Sequence, residues 1–226
     1  MEWTKDYQLF LFDFDGLLVN TEEIHYQAYK KMCRDRGFEL PWDFSRYCQV
    51  AHYHQETLRR ELMQSVPGLE RMESDWEVLY QEKKQAMVEL LSKGSVTMMP
   101  GAEKLLRVLD QEGIERCVVT HSPLEQIELI KQGNPILFSI PHWFTRESYT
   151  KAKPDPECYL NAIEKLCPEE GKVIGFEDTP RGMQALMETP AEAVMITQVN
   201  YPEQETFVSR GAKLFNSLAD WIHSRS

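Results

Sequence analysis

A short uncharged run, Gln8-Leu9-Phe10-Leu11-Phe12, passes directly into Asp13-Phe14-Asp15-Gly16. A run of this length suits a strand buried on both faces of a parallel sheet. Asp13 and Asp15 are two residues apart, so at the strand end they point to the same side while Phe14 turns into the core. Gly16 lets the backbone turn sharply just beyond them. Downstream, the texture over 21–93 is helical, with helices predicted at 21–36, 56–63 and 75–91. Thr21 reads as the N-cap of the first, and Trp76, Leu79, Tyr80, Met87 and Leu91 form one apolar stripe on the third. After Pro100-Gly101 strands and helices alternate. Helices are expected at 102–109, from 123 to 131, at 156–166 and at 181–187, and strands at 116–120, 144–145, 172–176 and 193–197. Such alternation implies an open parallel sheet with right-handed crossovers. The expected fold is therefore α/β, a Rossmann-like parallel sheet core with an inserted all-helical cap domain. The core takes residues 1–19 and 95–226, the cap 20–94.

At 226 residues the chain can bury a full core without disulfides or other staples. Asp plus Glu number 36 against 25 Lys plus Arg, a net charge of −11. That acidity argues against sequence-independent nucleic-acid binding, which needs a basic face. Five cysteines without a C-x-x-C pair argue against a zinc site or a disulfide framework and fit a reducing compartment. No apolar run is long enough to span a bilayer, and no secretory leader is visible. The expectation is a cytoplasmic protein without nucleic-acid or membrane partners, a monomer or weak homodimer.

The acidic and hydroxyl groups fall just past the ends of three predicted strands, where open α/β sheets bind ligands. Two carboxylates on one rim repel each other, so Asp13 and Asp15 make sense with a cation. Asp178, at the end of another strand, adds a hard oxygen ligand, and Glu177 is a further candidate. One or two carboxylates with waters and a phosphate is a usual Mg²⁺ arrangement. The alternatives are that D-x-D-G is an ordinary acidic turn and that Glu177 is purely structural.

Four segments in order carry a resemblance. They are Asp13-Phe14-Asp15-Gly16-Leu17-Leu18-Val19-Asn20-Thr21-Glu22, Val118-Val119-Thr120-His121-Ser122, Lys153-Pro154-Asp155-Pro156-Glu157-Cys158-Tyr159-Leu160 and Gly175-Phe176-Glu177-Asp178-Thr179-Pro180-Arg181-Gly182. Together they resemble the four motifs of the haloacid dehalogenase superfamily, in its β-phosphoglucomutase-like phosphatase branch, over essentially the whole chain. The resemblance implies a Mg²⁺-dependent phosphatase acting on a small phosphorylated metabolite through an aspartyl phosphate. Asp13 would be the nucleophile and Asp15 the general acid and base. Thr120 and Lys153 would hold the phosphoryl oxygens. Asp13, the backbone carbonyl of Asp15, Asp178 and Glu177 would hold the metal. His25, His121 and Ser122 would contact substrate. A sugar phosphomutase is the alternative activity; a dehalogenase or a non-catalytic binding protein has less in its favour, because Asp13, Asp15, Thr120, Lys153 and Asp178 are all present.

Substrate choice is expected in the cap, near a loop at 49–57. Related mutases carry Gly and then Ser-Arg there, whereas this chain has Ala51 and His54. Losing the Arg removes a bidentate phosphate donor, leaving His52 and His54 as candidate substrate contacts. The pair could also suggest a metal, although no further cysteine or histidine lies nearby. Trp42, Phe44 and Tyr47 read as cap core rather than as a substrate platform.

Overall fold

The computed structural model describes residues 2–51, 55–93, 96–167 and 169–225. It divides into two compact units, residues 1–20 with 96–226 and residues 21–95.

The first unit holds six parallel strands, β1 (Leu9–Phe12), β2 (Glu115–Val119), β3 (His142–Phe144), β4 (Val173–Glu177), β5 (Glu192–Ile196) and β6 (Lys213–Phe215), in the order β3-β2-β1-β4-β5-β6. The α/β parallel sheet expected from the sequence is what the chain forms. β1 lies in the middle because every residue of Leu9–Phe12 is apolar and fully buried. It pairs with β2 through Phe12 and Val118 and with β4 through Phe12 and Phe176. That register brings the ends of β1 and β4 level, and Asp13 N–H continues the ladder to Phe176 O at 3.0 Å. Phe10, Phe12 and Phe176 stack over one another, and Trp221 meets Phe176 edge-on at 4.6 Å.

Short segments on either side of the helical insertion are joined within this unit. Asn20 N–H reaches Thr97 O at 2.9 Å and Met99 N–H reaches Leu18 O at 2.9 Å. The chain leaves and rejoins the sheet unit through one hydrogen-bonded pair.

The second unit is helical: α1 (Glu22–Asp35), α2 (Phe44–Ala51), α3 (Gln55–Ser65), α4 (Pro67–Met72) and α5 (Trp76–Lys93). α1 and α5 pack around Ala28, Ala86 and Met87, with Ile24, Leu90 and Leu91 against them. Three readings need correction here. Thr21 makes no side-chain cap to α1; its backbone is already helical (φ −95°, ψ −17°), not the extended form that aims a cap oxygen at the first turn. Residues 49–51 and 55–57 belong to α2 and α3, so the flanks of the expected loop are helical. Within α2 the spacing of Tyr47, Cys48 and Val50 buries one side, a pattern too short to read with certainty from sequence. Phe44 stays exposed while Trp42 and Tyr47 are core. His52, Tyr53 and His54 lie outside the described residues.

The other helices belong to the sheet unit: α6 (Ala102–Gln111), α7 (Leu124–Gly133), α8 (Glu157–Leu166), α9 (Pro180–Met187), α10 (Gln204–Ser209) and α11 (Leu218–His223). β6, α10 and α11 come from a C-terminal stretch whose weak periodicity had not been read as structure. The five cysteines are free thiols. Among the described residues no helix is long and apolar enough to cross a membrane.

α11 closes against the start of α6, where Gly101 adopts φ +89° and a Cβ would lie 2.2 Å from Ala219 N. Gly113 also has positive φ, +64°, but nothing lies within 4 Å of its would-be Cβ. Gly101→Ala should therefore cost on the order of 3 kcal/mol or more, backbone strain plus overpacking, and Gly113→Ala about 1 kcal/mol, strain alone. Urea unfolding of the two variants measures both. Equal losses would mean the α11 contact yields.

Candidate active site

The C-terminal ends of β1, β2 and β4 deliver the motif residues to one edge of the sheet. Asp13 follows β1, Thr120-His121-Ser122 follow β2, and Glu177-Asp178 close β4. Lys153 comes from the segment ahead of α8.

Lys153 sits at the centre. Its Nζ donates to Asp13 Oδ1 at 2.6 Å, Glu177 Oε1 at 2.6 Å and Val119 O at 2.9 Å, and it lies 4.7 Å from the centre of the Tyr159 ring. Burial works against its charge, but the carboxylates of Asp13 and Glu177 outweigh burial and hold the ammonium above the ordinary lysine value. Glu177 is buried as deeply. Its Oε1 also accepts from Tyr159 OH at 2.5 Å, and its Oε2 lies 3.3 Å from Asp178 N–H. Gly182 makes room for this carboxylate, since a Cβ there would fall 2.0 Å from it. Burial and the Glu177 charge keep the Tyr159 phenol protonated far beyond its usual range, so it remains a donor.

Carboxylate oxygens of Asp13, Glu177 and Asp178 come within 4.8 Å of one another. This donor set fits a hard divalent cation: all oxygen, and three carboxylates less one ammonium leave two negative charges when all are ionised. Asp13 registers that excess. Its carboxyl is raised to about 7, first by burial and then, against the pull of Lys153, by the charges of Glu177 and Asp15.

Asp15 is held differently. Its Oδ2 accepts from Ser122 Oγ at 2.5 Å and from Thr120 Oγ1 at 3.2 Å, while Thr120 Oγ1 accepts Ser122 N–H at 3.0 Å. Pro123 occupies the N-cap of α7. The Thr120 and Ser122 hydroxyls, expected at the phosphoryl group, are thus turned toward Asp15. The Asp15 side chain is not among the three carboxylates brought together.

His121 departs from the substrate contact expected of it. Its Nε2 accepts the backbone N–H of Lys153 at 2.9 Å, and its ring lies 5.9 Å from that of Tyr149, whose hydroxyl donates to Thr120 O. Burial, then the charges of Lys153, Arg181 and Arg146, lower its pKa to about 2, so the ring is neutral with the proton on Nδ1. A neutral acceptor fixes the Lys153 backbone and offers no positive charge to an anion. His25, on α1, lies with Nδ1 2.6 Å from Nζ of the buried Lys83 of α5, inside the helical unit. Tyr159 and Tyr149 had no role assigned from the sequence. An aromatic at 159 reads as core, and only its hydroxyl, two residues after Glu157 in the third motif, hinted at a polar partner.

Residues 10–196 match the family model described as haloacid dehalogenase-like hydrolase. The chain belongs to that family, in its phosphatase branch. It is 28% identical over 217 residues to a protein of Drosophila melanogaster named as a probable pseudouridine-5′-phosphatase, covering 93% of this chain and 90% of the relative. It is 25% identical over 191 residues to a phosphorylated carbohydrates phosphatase of Thermotoga maritima, covering 81% and 82%. In fold it is similar to the crystal structure of CbbY from Rhodobacter sphaeroides in complex with xylulose-1,5-bisphosphate, with a TM-score of 0.72 at 20% identity, covering 95% and 96% of the two chains.

Acid should find the His121 contact first. The ring must stay neutral in the folded chain, with a pKa of about 2 against 6.5 when free, so the folded state binds fewer protons. Its stabilising contribution is complete above 6.5 and is lost progressively as pH falls below that value. The Asp13 carboxyl, raised to about 7, contributes in the opposite sense over the same range, so the His121 share is read as a difference: the unfolding free energy of the unsubstituted chain minus that of His121→Gln should shrink from pH 6.5 toward 4. Parallel slopes for the two proteins would place His121 outside the acid transition.

Proposed function

We propose that the chain is a Mg²⁺-dependent phosphatase that hydrolyses small phosphomonoesters through a phosphorylated Asp13. The observation that carries this reading is the buried Asp13–Lys153–Glu177 array beside Asp178, with Asp15 held two residues away on its own hydroxyl contacts. Asp13, Asp178 and the Asp15 carbonyl would hold the metal, with Glu177 beside them. When bound, the cation supplies the positive charge that lets a carboxylate and a phosphoryl group approach.

Asp13 attacks phosphorus in line, forming the acyl phosphate as the ester P–O bond breaks. Asp15 gives its proton to the departing oxygen. It then takes a proton from water as that water attacks phosphorus and frees Asp13, releasing inorganic phosphate. Ser122 and Thr120 orient the Asp15 carboxyl for both transfers. Lys153, already fixed through Val119 O and its backbone contact with His121, offers its ammonium to the non-bridging oxygens. Its position is set before substrate arrives, so little reorganisation accompanies the charge developing in the transition state.

Two measurements test the assignment. Hydrolysis of an aryl phosphate should vanish with excess chelator and return with Mg²⁺, with Ca²⁺ a poor substitute because its looser shell misplaces the nucleophile. Full activity in chelator would remove the metal from the mechanism. Asp13→Asn should lower turnover on the order of 10⁴-fold or more for every ester. Asp15→Asn should cost about 10²–10⁴-fold with alkyl esters and far less with an aryl ester, whose leaving group needs no proton. Equal losses on both ester types would exclude Asp15 as the acid.

A further inference from the structure

The sheet unit contains six arginines. Four have carboxylate partners: Arg107 with Glu103, Arg116 with Asp110, Arg210 with Glu188 and Arg225 with Glu192. Among the described residues the remaining two, Arg146 and Arg181, form no ion pair. In a chain with an excess of eleven acidic charges, guanidinium groups without carboxylate partners stand out; Arg146 is exposed, but Arg181 is half-buried, where an unpaired charge is costly to hold. Both arise on the same edge as Asp13. Arg146 follows β3 and Arg181 opens α9 just after β4.

Arg181 is half-buried, and its Nε is shielded from solvent without a hydrogen-bond partner. The backbone beside it passes directly against the acidic cluster, because Gly182 has room for no more than a hydrogen next to the Glu177 carboxylate. Arg146 reaches Tyr149 O with Nη1 at 3.3 Å and lies over the Tyr149 ring at 5.6 Å, the same ring that neighbours His121. Arg146 thus borders the residues that follow β2, and His121 feels the charge of both arginines.

Within the phosphatase reading, Lys153 and the metal site already answer the transferred phosphoryl group. A second cationic pair on the rim answers a different charge. We propose that Arg181, with Arg146 beside it, binds a second anionic group on the substrate, a carboxylate or another phosphoryl group, so that the preferred esters are doubly anionic. A guanidinium is suited to this because its planar fork meets either group with two parallel hydrogen bonds. The contact also resolves how a chain of net charge −11 gathers a polyanion, by cations confined to the sheet edge.

The test compares kcat/KM for phosphoglycolate, a sugar bisphosphate, glycerol phosphate and p-nitrophenyl phosphate in the wild-type chain, Arg181→Gln, Arg181→Lys and Arg146→Gln. The wild-type chain should favour at least one of the first two. Arg181→Gln should lower the ratio of doubly to singly anionic esters by about 10- to 100-fold, mainly through KM, Arg146→Gln should lower it less, and Arg181→Lys should recover part of it. Loss confined to the carboxylate ester or to the bisphosphate identifies the group bound. An unchanged ratio in Arg181→Gln overturns the proposal, as does a wild-type preference for singly anionic esters. Calorimetry with an uncleavable phosphonocarboxylate separates this inference from the phosphatase reading. Binding weakened at least about tenfold by Arg181→Gln supports the rim even if no ester is hydrolysed, and that lack of hydrolysis would overturn only the phosphatase reading.

Discussion

A single buried ammonium organises the catalytic edge of this protein. Lys153 is nearly inaccessible, yet it keeps its charge because two carboxylates and a carbonyl surround it. Neither side could be buried alone, since an unpaired ion in the interior costs several kcal/mol. The residues around the lysine follow from that constraint. Tyr159 saturates the carboxylate that Lys153 leans on, Gly182 vacates the space that carboxylate needs, and His121 ties down the backbone from which the side chain departs. The middle of the sheet, with Phe10, Phe12 and Phe176 stacked beneath, gives this array a rigid floor.

The three strand ends divide the labour electrostatically. At the ends of β1 and β4 negative charge is in excess, which pushes the Asp13 carboxyl upward and suits a divalent cation. At the end of β2 the groups are neutral: two hydroxyls that hold Asp15 and an imidazole that holds the Lys153 backbone, none of them adding charge. The two carboxylates of one tetrapeptide thus live in different surroundings, the separation that the proposed nucleophile and acid would need.

Much of this was legible in the sequence because the signals are local. The buried run before Asp13, the alternation after Pro100 and the spacing of Lys153 to Pro156 each report on a few neighbouring residues, and the parallel sheet forms as they indicate. The helices α2 and α4 were not legible, being six to eight residues long with too few turns to show a period. Nor were the partners of the site residues. That Ser122 would turn to Asp15, or His121 to a backbone 32 residues away, depends on which strands become neighbours. Side-chain hydrogen bonds across such separations leave no periodic trace. Tyr159 is the clearest case, since its ring belongs to the core and its hydroxyl to the site.

The pairing of residues 18–20 with 97–99 gives the helical insertion a particular standing in the molecule. Its two ends are already fastened to each other inside the sheet unit, so from the sheet's side the whole excursion of residues 21–95 is one long hairpin turn. Closure entropy grows only logarithmically with the length of such an excursion. Lengthening, shortening or exchanging the helices therefore changes little in what the sheet must overcome to fold. A scaffold stitched shut at the base of its insertion can trade that insertion for another while its own chemistry stays in register.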